Sequence, residues 1–300
     1  MLFLTDEEVS SLLPMAEAIR LMRLAFEALA AGTAQNQTRR RLILPTGSVL
    51  HSLAGAYGNY FGTKFYSTNP KHGAHFLFAL YDAATAQPLA LMQANYLGQI
   101  RTGAASGYAT DLLANPDASI LGIIGSGFQA RSQWEAIRAV RPIREVRVWS
   151  RDPAKRAKFA KECGATEAGS AQEAVRGAHI VATATNAKDP VLDDSWIHPG
   201  TYINAMGSNI ANRRELPGEL VRRAGLVAVD SLEQARIEAG DLLLANSWDN
   251  VVELQTVSRN YDPKGITIFK SLGLGLEDVA AGGYVYEQAR QKRVGRPLYS

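Results

Sequence analysis

The sequence predicts an α/β protein, a doubly wound parallel domain joined to a smaller α+β domain. Three observations carry that prediction. From about residue 119 onward, short apolar runs (SILGIIG, EVRVWS, HIVATAT, TYINAMG, GLVAVDS) alternate with segments of helical periodicity, the alternation of successive βαβ units. From about residue 41 to 95 the runs are instead rich in Gly, Tyr and Phe and are separated by Asn-Pro, Asp-Ala and Gln-Pro, which reads as an antiparallel sheet of several strands. A chain of 300 residues also exceeds what one core usually fills. The expected division is 1–113 and 114–274, with 275–300 returning to the first domain.

Taken in order, Thr5-Asp6-Glu7-Glu8 has capping-box spacing, and after Pro14 the residues Ala18, Leu21, Met22, Ala25 and Leu29 recur at helical intervals, so the chain is expected to begin with helices. RTGAASGYATDLLA is a small-residue helix, and Asn115-Pro116-Asp117 makes a natural boundary after it. Helices are expected up to about Arg141, from Pro153, and from roughly Leu276 to Arg290, with TIFKSLG as a strand before the last. There is no internal repeat and no low-complexity segment.

Composition narrows the function classes. Hydrophobic and charged fractions of 46% and 20% are those of an ordinary soluble globular protein. The 32 basic and 29 acidic residues leave a net charge of +3 with no long block of one sign; Arg39-Arg40-Arg41 is the one basic run to weigh, so nucleic acid is not an expected partner. A single cysteine, Cys163, excludes an internal disulfide and a Cys-rich zinc site and suits a reducing compartment, the cytoplasm. The N-terminus lacks the basic region of a signal peptide, and no apolar run approaches the roughly 20 residues that span a bilayer. His72 and His75 are spaced as a His-x-x-His pair, but no carboxylate or Cys completes a ligand set, so no metal is expected.

The most informative motif is Gly125-Ser126-Gly127-Phe128-Gln129-Ala130, a G-x-G-x-x-A loop that follows a buried-type strand and opens a helix. In that setting Gly125 allows the tight turn, Gly127 the approach of backbone to a pyrophosphate, and Ala130 close helix packing, while the helix N-terminus favours the anion. This is the fingerprint of a dinucleotide-binding Rossmann domain. The second strand of such a domain ends at Trp149-Ser150-Arg151, without the carboxylate that would hold a ribose 2′-hydroxyl. Ser150 and Arg151, with Arg156 one turn further, suit a 2′-phosphate, so NADP(H) is preferred and NAD(H) possible; the other reading leaves Arg151 on a solvated loop with Asp152 on the ribose.

Outside that domain, Tyr60 and Lys64 have the Tyr-x-x-x-Lys spacing of short-chain dehydrogenases, but they precede the glycine loop and lie in strand sequence, so that reading is set aside. Lys64, isolated inside an aromatic strand, is either surface-directed or buried beside something anionic. Arg41 and Arg101 are two further cations; each alone is usually an exposed ion-pair partner, yet with Lys64 they suggest a pocket for a substrate carboxylate.

The stretches RRLILP, TKFYSTN, GQIRTGAASG, LGIIGSGFQA, VRVWSRDPAK, INAMGSN with RREL, VDSLEQA and IFKSLGLGLEDVAA together resemble the ornithine cyclodeaminase/mu-crystallin family over essentially the whole chain. The resemblance implies a homodimer through the sheet of the first domain, a substrate pocket between the domains, Lys64 as the active-site lysine, and Arg41 and Arg101 as the arginines on the substrate carboxylate. It also implies that Gly125, Gly127, Gln129, Ser150, Arg151, Thr185, Asn186, Met206, Gly207 and Ser208 fall on cofactor positions. Two departures point within the family: the segment Gly207–Asn212 carries no acid, and no Glu stands between Arg41 and Lys64, where cyclodeaminases have both. The expected activity is therefore NADP(H)-preferring reduction of a small cyclic imino acid, such as pyrroline-2- or piperideine-2-carboxylate, or the reverse oxidation. The alternatives are ornithine cyclodeaminase and a non-enzymatic NADP(H)-binding protein. His51, Tyr66, Met92 and Asn209 are candidate pocket walls.

Overall fold

The computed structural model describes residues 1–258, 261 and 263–298. The chain forms two compact units, Met1–Arg101 with Gly273–Ser300, and Thr102–Leu272. The first begins β1 (Leu2–Leu4), α1 (Asp6–Leu12), α2 (Met15–Ala30), β2 (Gln35–Ile43), β3 (Val49–Tyr57), β4 (Tyr60–Asn69), β5 (Gly73–Asp82), β6 (Pro88–Gln93), and leads into α3 (Asn95–Leu113), which carries the division. The second contains β7 (Ile120–Ile124), α4 (Phe128–Val140), β8 (Glu145–Trp149), α5 (Pro153–Cys163), β9 (Thr166–Glu167), α6 (Ala171–Val175), β10 (Ile180–Thr183), β11 (Tyr202–Ala205), α7 (Gly218–Arg223), β12 (Leu226–Val229), α8 (Leu232–Glu238), α9 (Gly240–Ala245), β13 (Val251–Glu253) and β14 (Thr267–Lys270). The chain then returns to the first unit with α10 (Gly275–Lys292) and β15 (Arg296–Pro297). No helix of the described residues is long and apolar enough to cross a membrane.

The first unit is built on a sheet of order β15-β1-β6-β5-β4-β3-β2. Strands β2 to β6 pair antiparallel, as their alternating sequence implies, but β1 runs parallel to β6. The chain thus starts with a strand rather than a helix; three residues are too few to show an alternation, and β1 exists because β6 and β15 offer it two partners. The expected capping box then closes α1, with Thr5 accepting from the Glu8 amide and Glu8 reaching back to the Thr5 amide. In α2 the buried face is Met15, Ala18, Leu21, Met22, Ala25 and Phe26.

The last helix docks against β3 through glycines. A Cβ at Gly55 would lie 2.5 Å from the Leu276 amide, and one at Gly275 would lie 2.5 Å from the Ala54 carbonyl oxygen. Only hydrogen at both positions allows backbone to meet backbone, and this contact delivers the first turn of α10 to the centre of the sheet.

The second unit is a wholly parallel sheet of order β13-β12-β14-β11-β10-β7-β8-β9, with helices in the crossovers. The expected strands all form; β9 and β13, two and three residues long, extend the edges and had no visible pattern. The division falls at Arg101/Thr102 and Leu272/Gly273, where 113/114 and 274/275 were expected. The second half of α3 belongs with the parallel unit because Arg141 serves as its C-terminal cap, donating to the carbonyls of Thr110, Asp111, Ala114 and Asn115 at 2.8–3.0 Å.

Candidate active site

In the first unit, Leu53, Lys64, Phe78 and Met92 stand side by side across β3, β4, β5 and β6. Over this row lies the first turn of α10, with Glu277 and Asp278 fully buried; acids are favoured there by the helix dipole. The Lys64 ammonium, itself buried, donates to Asp278 Oδ1 at 2.9 Å and lies 2.8 Å from Oδ2. Arg101, from α3, donates through Nε to Asp278 Oδ1 at 3.0 Å and through Nη1 to Glu277 at 2.6 Å. Arg39 Nη2 donates to the Gly273 carbonyl at 3.4 Å.

Burial first, and then the Arg101 guanidinium, lower the Lys64 amine to about 8 against the opposing pull of Asp278. Burial also works against the Arg101 charge, but Asp278 and Glu277 outweigh it and hold Arg101 above its ordinary value. The result is a lysine poised near neutral pH beside an arginine that stays charged. Arg41, half-buried, pairs in register with His51, whose ring lies flat on Tyr66 at 4.2 Å, and Tyr66 stacks in turn on Phe76 at 4.7 Å. Burial and the two arginines Arg41 and Arg39 push His51 down to about 4, so its ring is neutral at pH 7 and Nε2 bonds to the Thr68 hydroxyl at 3.0 Å.

Lys64 and Arg101 are thus brought together, and of the two readings open for Lys64 the buried one holds. Three charged residues that act on Lys64 or Arg101 were missed. Glu277 and Asp278 sit in the LEDVAA stretch, where two acids in a first turn look like ordinary dipole partners. Arg39 is buried while Arg40 is exposed, and a register irregularity between Gln37 and Arg40 hides the parity that would have distinguished them. Tyr60 lies on β4 and bonds to Glu287, consistent with setting the Tyr-x-x-x-Lys reading aside.

In the second unit, Gly125 follows β7 with φ of +116°, a backbone that L side chains rarely adopt, and a Cβ there would lie 2.4 Å from the Ala184 carbonyl oxygen. Gly127 is the N-cap of α4, makes no side-chain cap bond, and has open space where a side chain would stand, so backbone can approach a ligand closely there. Strand order reverses between β7 and β10, and this loop sits at that switch point. These features fit a dinucleotide pyrophosphate. Phe128 is exposed, and Gln129 receives the Ser132 hydroxyl.

At the β8 end, the Ser150 and Ser126 hydroxyls lie 2.8 Å apart and Arg151 is exposed. Asp152 caps α5, its Oδ1 receiving the Lys155 amide at 3.0 Å and its Oδ2 standing 3.5 Å from Lys155 Nζ. Arg156 donates to the Ser150 carbonyl at 2.9 Å and to Glu167 at 3.0 Å, which holds the loop. Past β10 and β11, Thr185 is bound by Glu215, Asn186 is exposed, Met206 donates its amide to the Thr183 carbonyl, Gly207 donates to Glu215, and the buried Ser208 hydroxyl donates to Arg213 O.

A parallel doubly wound sheet with a glycine loop leading into a helix N-terminus at its switch point defines a dinucleotide-binding protein. The ornithine cyclodeaminase/mu-crystallin family model matches residues 1–293. The chain is 40% identical to mouse ketimine reductase mu-crystallin over 223 residues, 73% of this chain and 70% of that one. Among solved structures it is similar to the Thermococcus litoralis Δ1-pyrroline-2-carboxylate reductase in complex with NADH and L-proline, with 32% identity, TM-score 0.93, and 99% and 100% of the two chains covered. It is likewise similar to an archaeal alanine dehydrogenase dimer with bound NAD, with 32% identity, TM-score 0.94, and 100% and 99% covered. The chain belongs to the ornithine cyclodeaminase/mu-crystallin family.

Proposed function

We propose that this protein is an NAD(P)H-dependent reductase of small cyclic imino acids, pyrroline-2-carboxylate or piperideine-2-carboxylate, also able to run in reverse on the amino acid. The observation that carries the reading is the buried group of Lys64, Asp278, Arg101 and Glu277. With Nε and Nη1 of Arg101 committed to carboxylates, Nη2 is the edge left for a substrate carboxylate, and Arg41 supplies a second cation. Lys64, held by Asp278 and lowered to about 8, supplies the proton that the imine nitrogen takes up on reduction. A bound nicotinamide dinucleotide would supply the hydride to C2. Gly125, Ser126, Gly127, Phe128 and Gln129 would hold its pyrophosphate, and the ends of β10 and β11 would serve its nicotinamide half.

The two solved structures named above are described with NADH and NAD. For this chain the β8 end supports NADP(H) as the preferred form, because Asp152 is spent on its helix cap and the exposed Arg151 is the charge nearest Ser150 in sequence. Arg151→Ala is expected to raise KM for NADPH about tenfold with little change for NADH; an unchanged ratio of the two would return the assignment to NAD(H). A homodimer is supported by the free edge of β2, where Leu42 and Ile43 are 60% and 69% exposed, and by the dimeric alanine dehydrogenase relative.

The test is oxidation of NADPH and NADH, followed at the nicotinamide absorbance, with the two cyclic imines. Turnover of either imine supports the reading. No imine turnover, with release of ammonia and proline from ornithine, would move the protein to the cyclodeaminase branch of its family.

A further inference from the structure

One carboxylate outside the glycine loop and the β8 end ties together the two strand ends beside the switch point. Glu215, after β11, is fully buried. Its Oε1 accepts from the Thr185 amide at 2.8 Å and the Thr185 hydroxyl at 2.7 Å; its Oε2 accepts from the Thr183 hydroxyl at 2.8 Å and the Gly207 amide at 2.7 Å. Four donors, from the last residue of β10 and from the loops after β10 and β11, fill its acceptor positions. The amides of Glu215 and Leu216 donate in turn to Asp241 Oδ1 at 2.6 and 2.9 Å, and Asp241 Oδ2 lies 2.8 Å from Lys270 Nζ, which donates to the Ser208 carbonyl.

Holding the sheet together does not require this. The ladder between β10 and β11 already runs from Ile180↔Tyr202 to Thr183↔Ala205. Thr185 and Gly207 lie two residues beyond its last pair, where the strands part and ligands bind in an open α/β sheet. Two carboxylates buried beside each other carry a desolvation cost, offset by Lys270, by the four donors on Glu215 and by the two amides on Asp241 Oδ1. What the arrangement determines is the direction in which the Thr185 and Gly207 backbones point. Glycine at 207 is part of it, since a Cβ there would lie 2.3 Å from Glu215 Oε1 and from the Thr185 carbonyl oxygen.

Strands β7 and β8 carry the pyrophosphate loop and the Ser150 end, so β10 and β11, across the switch point, serve the other half of the dinucleotide. We propose that Glu215 is a positioning residue for the nicotinamide half of the cofactor, holding the Thr185 and Gly207 loops in the arrangement that half requires without touching it. The inference rests on the dinucleotide reading above and is independent of the substrate.

Its test compares binding of NADPH and NADH, by nicotinamide fluorescence, with binding of 2′-phospho-ADP-ribose and ADP-ribose, which lack the nicotinamide, by calorimetry. Glu215→Gln keeps the volume but turns one acceptor oxygen into a donor facing donors. Its Kd for the complete cofactors is expected to rise about tenfold while that for the fragments stays within about twofold. Should Glu215→Gln not fold, Thr183→Val removes a single donor at constant shape and is expected to show the same split at about threefold. Equal weakening of cofactor and fragment, or none of either in a folded variant, overturns the proposal. A wild-type protein that binds neither NADPH nor NADH overturns it together with the dinucleotide reading. Imine turnover plays no part in the comparison, so failure of the substrate assignment shows separately in the turnover assay.

Discussion

Lys64→Ala is expected to lower kcat/KM for imine reduction about a thousandfold, with cofactor binding retained, because it removes the group proposed to deliver the proton. Lys64→Met is the informative companion. It fills most of the same volume and leaves Asp278 paired with Arg101, so equal loss in both variants assigns the defect to the missing amine rather than to packing. The pH profile gives an independent check. On the proposed role reduction uses the ammonium form, and burial with Arg101 lowers the amine to about 8. The wild-type kcat/KM for reduction should therefore be level below that pH and fall about tenfold per unit above it, while amino-acid oxidation, which needs the free amine, rises through the same range to a plateau. Wild-type turnover in Lys64→Met would remove this lysine from the reaction, and a reduction profile level far above that pH would remove it from the proton step.

Asp278→Asn should be the most damaging substitution for stability. The carboxylate answers two buried cations, Lys64 and Arg101, and it is itself fully buried. Taking one partner from a buried ion pair leaves a charge without compensation, at about 3–5 kcal/mol. Urea unfolding followed by circular dichroism should show the midpoint falling with little change in slope. Function should change in a specific direction as well. Without the anion, nothing opposes burial and Arg101 at Lys64, so its amine falls further and the decline in reduction moves to lower pH. A variant with unchanged midpoint and unchanged profile would mean that Asp278 neither stabilises the cluster nor tunes the lysine.

The sequence by itself determined the fold class, the glycine loop and its setting, and the helix termini at Thr5 and Pro153, because each is written in local spacing: period two or 3.6, a capping box, a Pro at the first helical turn. It also supplied Lys64 and Arg101 as candidates. What it did not contain was the counter-charge. Asp278 lies 214 residues from Lys64 and 177 from Arg101, in a first turn where acids are commonplace. The Glu215 bonds that close the strand ends span up to 32 residues and cross two loops without a motif. Strand β1, too short for a pattern, waited on β6 and β15. Which charge meets which depends on where an element docks, and the docking of α10 depends on the absence of side chains at Gly55 and Gly275. Local periodicity encodes the elements; only the packed structure brings distant charges within 3 Å, and burial then lowers the Lys64 amine to about 8.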